Sequence, residues 1–274
     1  MISIRNLSFG YGKRSVFKDF NLDIPDGQIC LLTGINGVGK STLLRLIAGV
    51  LRPARGMILY PEAMRGEPKR KIGFISDRLS LYESLTVDQA IRFHCDVFGL
   101  AGIDDRLIRH TKIEGGQRVK ELSIGQRTIL HLNMILSLDP ELLLIDEVIH
   151  SIDAYLRRVF IEEVIALIAR KRVTVLMANL NFHDIEAIIE RVILLKSGTI
   201  AVDEPIETLK DKVKKVIAPA PPAGLTVLSQ RRSPDRSEYY VYPYVEITAC
   251  GEVEVVDLDL TEIIAAFIGG EYAA

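Results

Sequence analysis

Gly34-Ile35-Asn36-Gly37-Val38-Gly39-Lys40-Ser41 begins with a glycine and ends in Gly-Lys-Ser, which is the pattern of a P-loop. Just before it, residues 28–33 (Gln-Ile-Cys-Leu-Leu-Thr) form an apolar run that reads as a strand. After it, Leu43, Leu44, Ile47 and Val50 recur at helical spacing, and Gly49, Pro53 and Gly56 mark the end of that helix. Strand, glycine-rich turn and helix in this order make a seat for phosphate. The glycines let successive N–H groups point at phosphate oxygens, and the helix N-terminus favours anions. Lys40 is expected to reach the β- and γ-phosphates of a nucleoside triphosphate, and the Ser41 hydroxyl to ligate Mg²⁺. The expected nucleotide-binding residues here are Asn36, Gly37, Val38, Gly39, Lys40, Ser41 and Thr42.

Leu142-Leu143-Leu144-Ile145-Asp146-Glu147 supplies a matching half, straight after the Asp139-Pro140 turn. An apolar strand ending in two carboxylates delivers charge to its C-terminal edge, where ligands bind in open α/β sheets. Asp146 is expected to hold Mg²⁺ through a water, and Glu147 to act as general base on the attacking water. Alone, such an acidic pair also reads as a helix cap.

Further out, residues 173–178 form another apolar strand, preceded by a helix with Leu156, Phe160, Val164 and Ile168 on one face. Residues 192–195 turn through Lys196-Ser197-Gly198 into 199–202. Continuous apolar strands alternating with amphipathic helices predict a mostly parallel sheet covered on both faces. Residues from about 84 to 138 break that rhythm as a helical insertion. After Pro205 a charged helix over 206–215 leads into the linker Ala218-Pro219-Ala220-Pro221-Pro222-Ala223-Gly224, short strands, and a last helix over 260–267. The expected fold class is α/β, a P-loop NTPase with an N-terminal antiparallel β part and a small α+β C-terminal segment. The expected domains are 1–205 and 206–274.

Composition narrows the partners. The chain has 274 residues, with 34 basic and 36 acidic side chains, and so lacks the charge excess of a nucleic-acid binder. The basic clusters at 65–71 and 231–236 lie in polar, proline-containing stretches and read as solvated loops. No apolar run reaches the ~18 residues of a membrane span, and the N-terminus lacks a signal-peptide core. A cytoplasmic protein, held at the inner membrane face through a partner, is expected. Cys30, Cys95 and Cys250 are far apart and read as reduced thiols.

Between the two motif halves lies Leu122-Ser123-Ile124-Gly125-Gln126, ahead of a helix. Ser123 and Gln126 have capping-box spacing, but the order of motifs resembles the nucleotide-binding subunits of ATP-binding cassette (ABC) transporters, whose signature is Leu-Ser-Gly-Gly-Gln. The resemblance runs from about residue 1 to 205. It implies an ATPase that uses ATP and Mg²⁺, pairs head to tail with a second nucleotide-binding domain in a homo- or heterodimer, and drives a separate transmembrane permease docked on the helical insertion. It also implies that Tyr11, in Phe9-Gly10-Tyr11-Gly12, stacks on adenine. Ser123, Gly125 and Gln126 would close on the partner's nucleotide, and Asp153 would face the dimer partner or cap the next helix. The tail, through Glu207-Thr208-Leu209-Lys210 and Leu260-Thr261-Glu262-Ile263-Ile264, resembles the C-terminal segment of drug- and lipid-type exporters.

Three positions depart from the family pattern. Asp77 stands where a glutamine is usual, as a shorter catalytic and metal-linked residue. Leu180 stands where a histidine contacts the γ-phosphate, with His183 three residues on. Ile124 replaces the first signature glycine and crowds the close approach that glycine permits. Normal ATP binding with slow hydrolysis as a homodimer is therefore expected. The alternative is an ATP-binding regulatory partner with little turnover in an asymmetric heterodimer.

Overall fold

The chain opens with β1 (Ile2–Tyr11), which turns through Gly12 into β2 (Arg14–Ile24). Ile2, Ile4 and Leu7 face Ile24, Leu22 and Phe20 across this hairpin, and all six are buried. Next in order come β3 (Ile29–Thr33), α1 (Lys40–Ile47) and β4 (Arg55–Leu59). The strand β4 pairs antiparallel with β1, giving a three-stranded sheet of order β2-β1-β4. This is a computed structural model, and it describes residues 1–76, 81–148, 152–178, 185–232, 236–246 and 253–269.

The central sheet is built from β3 and later strands. In chain order these elements are β5 (Ile72–Ser76), α2 (Val87–Phe98), α3 (Ile124–Leu136), β6 (Leu142–Asp146), α4 (Ala154–Arg170), β7 (Thr174–Ala178), β8 (Arg191–Lys196) and β9 (Thr199–Pro205). Their spatial order is β5-β6-β7-β3-β8-β9, parallel throughout except for β9, which runs antiparallel to β8. Every residue of β3, β6 and β7 is buried, as the uninterrupted apolar runs require of strands covered on both faces. Leu31, Leu143, Ile145, Val175 and Met177 pack on one side with α3 and α4. Cys30, Leu32, Leu144, Leu176 and Ile193 pack on the other with α1 and the three-stranded sheet. The registers align Ser76 with Asp146, Asp146 with Ala178, and Ala178 with Leu32, so four neighbouring strands end on one edge.

Residues 84–138 hold α2 and α3 with short 3₁₀ turns between them. Thr86 and Gln89 cap α2 reciprocally, and Gly99 ends it in a left-handed conformation (φ 70°). Val87, Ala90, Val119, Leu122, Leu130 and Met134 give this insertion a small core of its own.

The C-terminal part corrects one expectation. The charged helix stops early, as α5 (Ile206–Lys212), and Lys214 and Lys215 belong to β10 (Lys214–Ala218). There, alternation buries Val216 and Ala218, and pairing with two neighbours overrides the helical look of the lysines. β11 (Val227–Arg232), β12 (Ser237–Val241) and β13 (Glu254–Asp257) complete an antiparallel sheet of order β11-β12-β10-β13. The last helix is α6 (Leu260–Ile268). Its Leu260, Ile263, Ile264 and Phe267 enter the same core as Val192, Leu194 and Val202 of the central sheet. The new sheet also packs a small core of its own, with Val216, Ala218, Tyr239 and Val241, while α6 joins the central core. Among the described residues no helix is long and apolar enough to cross a membrane.

Candidate nucleotide site

The P-loop leaves β3 at the middle of the aligned strand edge. Gly34 takes φ 137°, and a Cβ there would stand 2.3 Å from the Leu195 carbonyl oxygen, so only glycine fits. Lys40 opens α1 and is 4% exposed. Its Nζ donates to Gly34 O at 2.8 Å and Ile35 O at 3.3 Å, and lies 3.6 Å from Glu147 Oε1. Burial lowers its pKa, while Glu147 and Asp146 act in the opposite sense. The ammonium is therefore held in place by the loop carbonyls and the carboxylates before any phosphate arrives.

Ser41 Oγ donates to Asp146 Oδ1 at 2.8 Å, joining residues 105 positions apart. Glu147 follows β6 with a left-handed backbone (φ 51°), and its N–H donates to Ala178 O at 3.0 Å. That conformation costs a non-glycine residue roughly 1–3 kcal/mol, and the neighbouring strand holds it. Glu147 is 41% exposed and reaches open space beside Lys40. Tyr11, at the end of β1, sits edge-on to Phe9 with its hydroxyl 3.5 Å from Thr42 Oγ1.

One open cleft of about 450 Å³ gathers Tyr11, Asn36, Gly37, Gly39, Lys40, Ser41, Thr42 and Glu147. Asp146 lies buried behind Ser41, and the Val38 side chain turns into the core beneath the loop, which leaves Val38 only its backbone to offer a ligand. Sequence reasoning missed Arg14 and Val16, which also line the cleft. The signal was the two-residue hairpin loop Gly12-Lys13, which sets Arg14 opposite Tyr11. A cleft of about 500 Å³ elsewhere is bordered by the ion pairs Arg106–Glu163 and Arg170–Asp139. Its cations are already paired, so it makes a poor seat for phosphate.

Ser123, Gly125 and Gln126 do not line the nucleotide cleft. Ser123 Oγ accepts from Gln126 N at 3.2 Å, Gln126 Oε1 accepts from Ser123 N at 3.0 Å, and Gln126 Nε2 donates to Thr111 O at 3.0 Å. The capping-box reading is therefore present in the fold. Asp153 Oδ1 likewise accepts from Tyr155 N and Leu156 N, capping α4. Ile124 is 52% exposed in the first turn of α3 and meets no obstacle inside its own chain. Asp77, Leu180 and His183 lie outside the described residues, as does Cys250.

Residues 17–150 match the protein family described as ABC transporter. An aliphatic sulfonates import ATP-binding protein of Pseudomonas aeruginosa is 31% identical over 209 residues, covering 75% of this chain and 76% of that protein. The chain belongs to the ABC transporter family, as an ATP-binding subunit. An ergothioneine transport ATP-binding protein of Helicobacter pylori is 33% identical over 178 residues, 58% of this chain and 79% of that one. A sulfate/thiosulfate import ATP-binding protein of Synechocystis is 37% identical over 167 residues, and the match spans 47% of that relative's length. Among solved structures, the ATP-binding subunit of an ABC transporter superposes with TM-score 0.68 at 23% identity, over 77% of this chain and 92% of that one. A dimeric bacterial ABC transporter cassette gives 0.64 at 20% identity, over 75% and 99%. Both likenesses show the fold.

The phosphate loop and acidic strand end meet in one cleft, whereas residues 123–126 are folded and capped and are not part of its lining.

Proposed function

We propose that this ABC subunit binds Mg-ATP in the cleft between the P-loop and the end of β6, hydrolyses it, and couples the cycle to a separate membrane permease. The observation that carries the reading is the meeting of two distant motifs, Ser41 with Asp146 at 2.8 Å and Lys40 with Glu147 at 3.6 Å. The residues fit a magnesium ion bound together with substrate phosphates. One hydroxyl and one buried carboxylate stand side by side, and no cluster of three or more acidic, histidine or cysteine ligands occurs among the described residues. Mg²⁺ typically takes one or two carboxylates plus phosphate oxygens and waters. Ser41 and Asp146 would hold it, and when bound it would neutralise charge on the β- and γ-phosphates.

The chain's own groups supply the rest. Tyr11 offers a ring to the adenine, and loop N–H groups and Lys40 bind the phosphate chain. Glu147 orients a water and accepts its proton as the new P–O bond forms and the β–γ bridge breaks. Asp77, one residue beyond β5, is assigned a water-linked part in the same step. Ser123, Gly125 and Gln126 complete the site from a second subunit, with Asp153 at the same dimer seam.

The permease dock is read in the groove between α2 and α3. Tyr82, Phe93 and Val97, all exposed, line it, and a contiguous apolar and aromatic surface suits a protein partner. Such docking places the subunit on the cytoplasmic face of a membrane. The division into 1–205 and 206–274 is kept as an organisational reading, supported by the new sheet that begins at Lys214. The exporter expectation rests on the tail motifs alone, while several curated relatives are named for import. The proposal therefore carries no direction of transport.

A second reading, the ATP-binding partner with little turnover, is favoured by Ile124. Half-exposed where the signature has glycine, its side chain would stand between the loop and a partner's phosphate. Mg-ATP turnover by the purified chain decides between them. Hydrolysis lowered about 100-fold or more by Glu147→Gln and by Lys40→Ala is the expected result. ATP binding with no turnover above the Glu147→Gln background would establish the second reading instead. Turnover equal in all three proteins would overturn the site.

A further inference from the structure

Two cations border the nucleotide cleft, and they are in different states. Lys40 is buried and engaged by Gly34 O, Ile35 O and Glu147. Arg14 is exposed and has no ion pair or hydrogen bond from its guanidinium among the described residues. Its place is nonetheless defined. Arg14 is the first residue of β2 and pairs directly with Tyr11 across the hairpin. Residues directly opposite in an antiparallel pair project from the same face, so the arginine shares the side from which Tyr11 enters the cleft. Its Nη2 lies 3.9 Å from where a Cβ would stand on Gly37, in the middle of the phosphate loop. It also borders an adjoining cleft of about 320 Å³ on the Asn36 and Ser197 side. The guanidinium therefore stands at the rim of the loop rather than out along the hairpin.

The charge balance gives that position a use. Lys40 and Arg14 oppose Asp146 and Glu147, so the site is close to neutral before ligand enters. Lys40 is already set against the carboxylates. A triphosphate carries several negative charges, and Arg14 is the unengaged positive charge on this cleft. Guanidinium also suits phosphate oxygens, because its planar donors can grip two at once.

We propose that Arg14 is a second cationic contact for the phosphate chain, reaching it from the hairpin while Lys40 reaches it from the loop, and that it sets the preference for nucleotides with more phosphates. This rests on the reading of the cleft as an ATP site. Tyr11 and Arg14 then divide the hairpin's work between base and phosphates.

The test is calorimetric binding of AMP, ADP and ATP to the full chain and to Arg14→Ala, Arg14→Lys, Tyr11→Ala and Lys40→Ala. Arg14→Ala is expected to weaken ATP by about five- to tenfold, a solvent-exposed charged contact being worth less than a buried one. ADP should lose less and AMP least, and Arg14→Lys should recover part of the loss. The gap between wild type and Arg14→Ala should narrow as salt is raised. Tyr11→Ala should weaken all three nucleotides alike. Equal losses for all three nucleotides in Arg14→Ala would overturn the proposal in favour of a hairpin that merely positions Tyr11. Unchanged affinities would overturn it outright. Lys40→Ala binding ATP as well as wild type would sink the nucleotide site itself, and the proposal with it, which separates the two failures.

Discussion

His131, on α3, is almost wholly enclosed, and its Nδ1 has no hydrogen-bond partner among the described residues. Burial, reinforced by His94 nearby, lowers its pKa from 6.5 to about 4. Between those values the unfolded chain takes up a proton that the folded chain refuses. Stability therefore falls as pH drops through that window, and the loss is complete below about 4. The full effect is of order 3 kcal/mol. Denaturant midpoints at pH 7 and pH 5 should differ clearly in the wild type and much less in His131→Phe. An unchanged gap would mean that other groups carry the acid limb. At the same scale, Lys40, Ser41, Asp146 and Glu147 were legible because loop and strand-end chemistry is written in consecutive residues. Arg14 was not, since its place at the cleft comes from a cross-strand register with Tyr11. Nor was the left-handed backbone of Glu147 (φ 51°), which depends on a bond to Ala178 in another strand.

The helices α3 and α4 start side by side, each fixed by a side-chain cap, Ser123 with Gln126 on α3 and Asp153 on α4. Gly125 lies in the seam, where a Cβ would come within 2.9 Å of Leu156 Cδ1 and 3.1 Å of Ile152 Cγ2. The nearest atom is the end of the flexible Leu156 side chain, and alanine favours a helix over glycine, so Gly125→Ala should change stability by less than about 1 kcal/mol. Asp153→Ala should cost about 1 kcal/mol through the lost cap of α4. Equilibrium unfolding of the isolated chain measures both, without ATP and without a partner. If Asp153→Ala leaves stability unchanged while lowering turnover, the aspartate belongs to the dimer seam and not to the cap. Apolar runs announced β3, β6, β7 and β8 to within about a residue. The end of α5 was misread because Lys214 and Lys215 continue a helical charge pattern in sequence. Only their pairing with β12 and β13 makes them a strand.

Across the whole molecule, the segment after Pro205 has a small core of Val216, Ala218, Tyr239 and Val241, yet its last helix joins the core of the central sheet. Leu260, Ile263, Ile264 and Phe267 share one buried cluster with Val192, Leu194 and Val202, some sixty residues earlier, and local patterning carries no trace of that. A chain ending at Pro205 would expose Val192, Leu194 and Val202. It should melt well below the full chain or aggregate, whereas the full chain should unfold in one transition by calorimetry. Two separate transitions would show that residues 206–274 fold alone. One turn ties the ends of this architecture together. Leu195 lays its carbonyl against Gly34 of the phosphate loop, and the adjacent Lys196 holds the Phe267 carbonyl of α6 at 3.3 Å. The end of β8 thus touches the phosphate loop on one side and the last helix on the other. Amide hydrogen exchange there should slow when nucleotide loads one side and quicken when α6 is removed from the other.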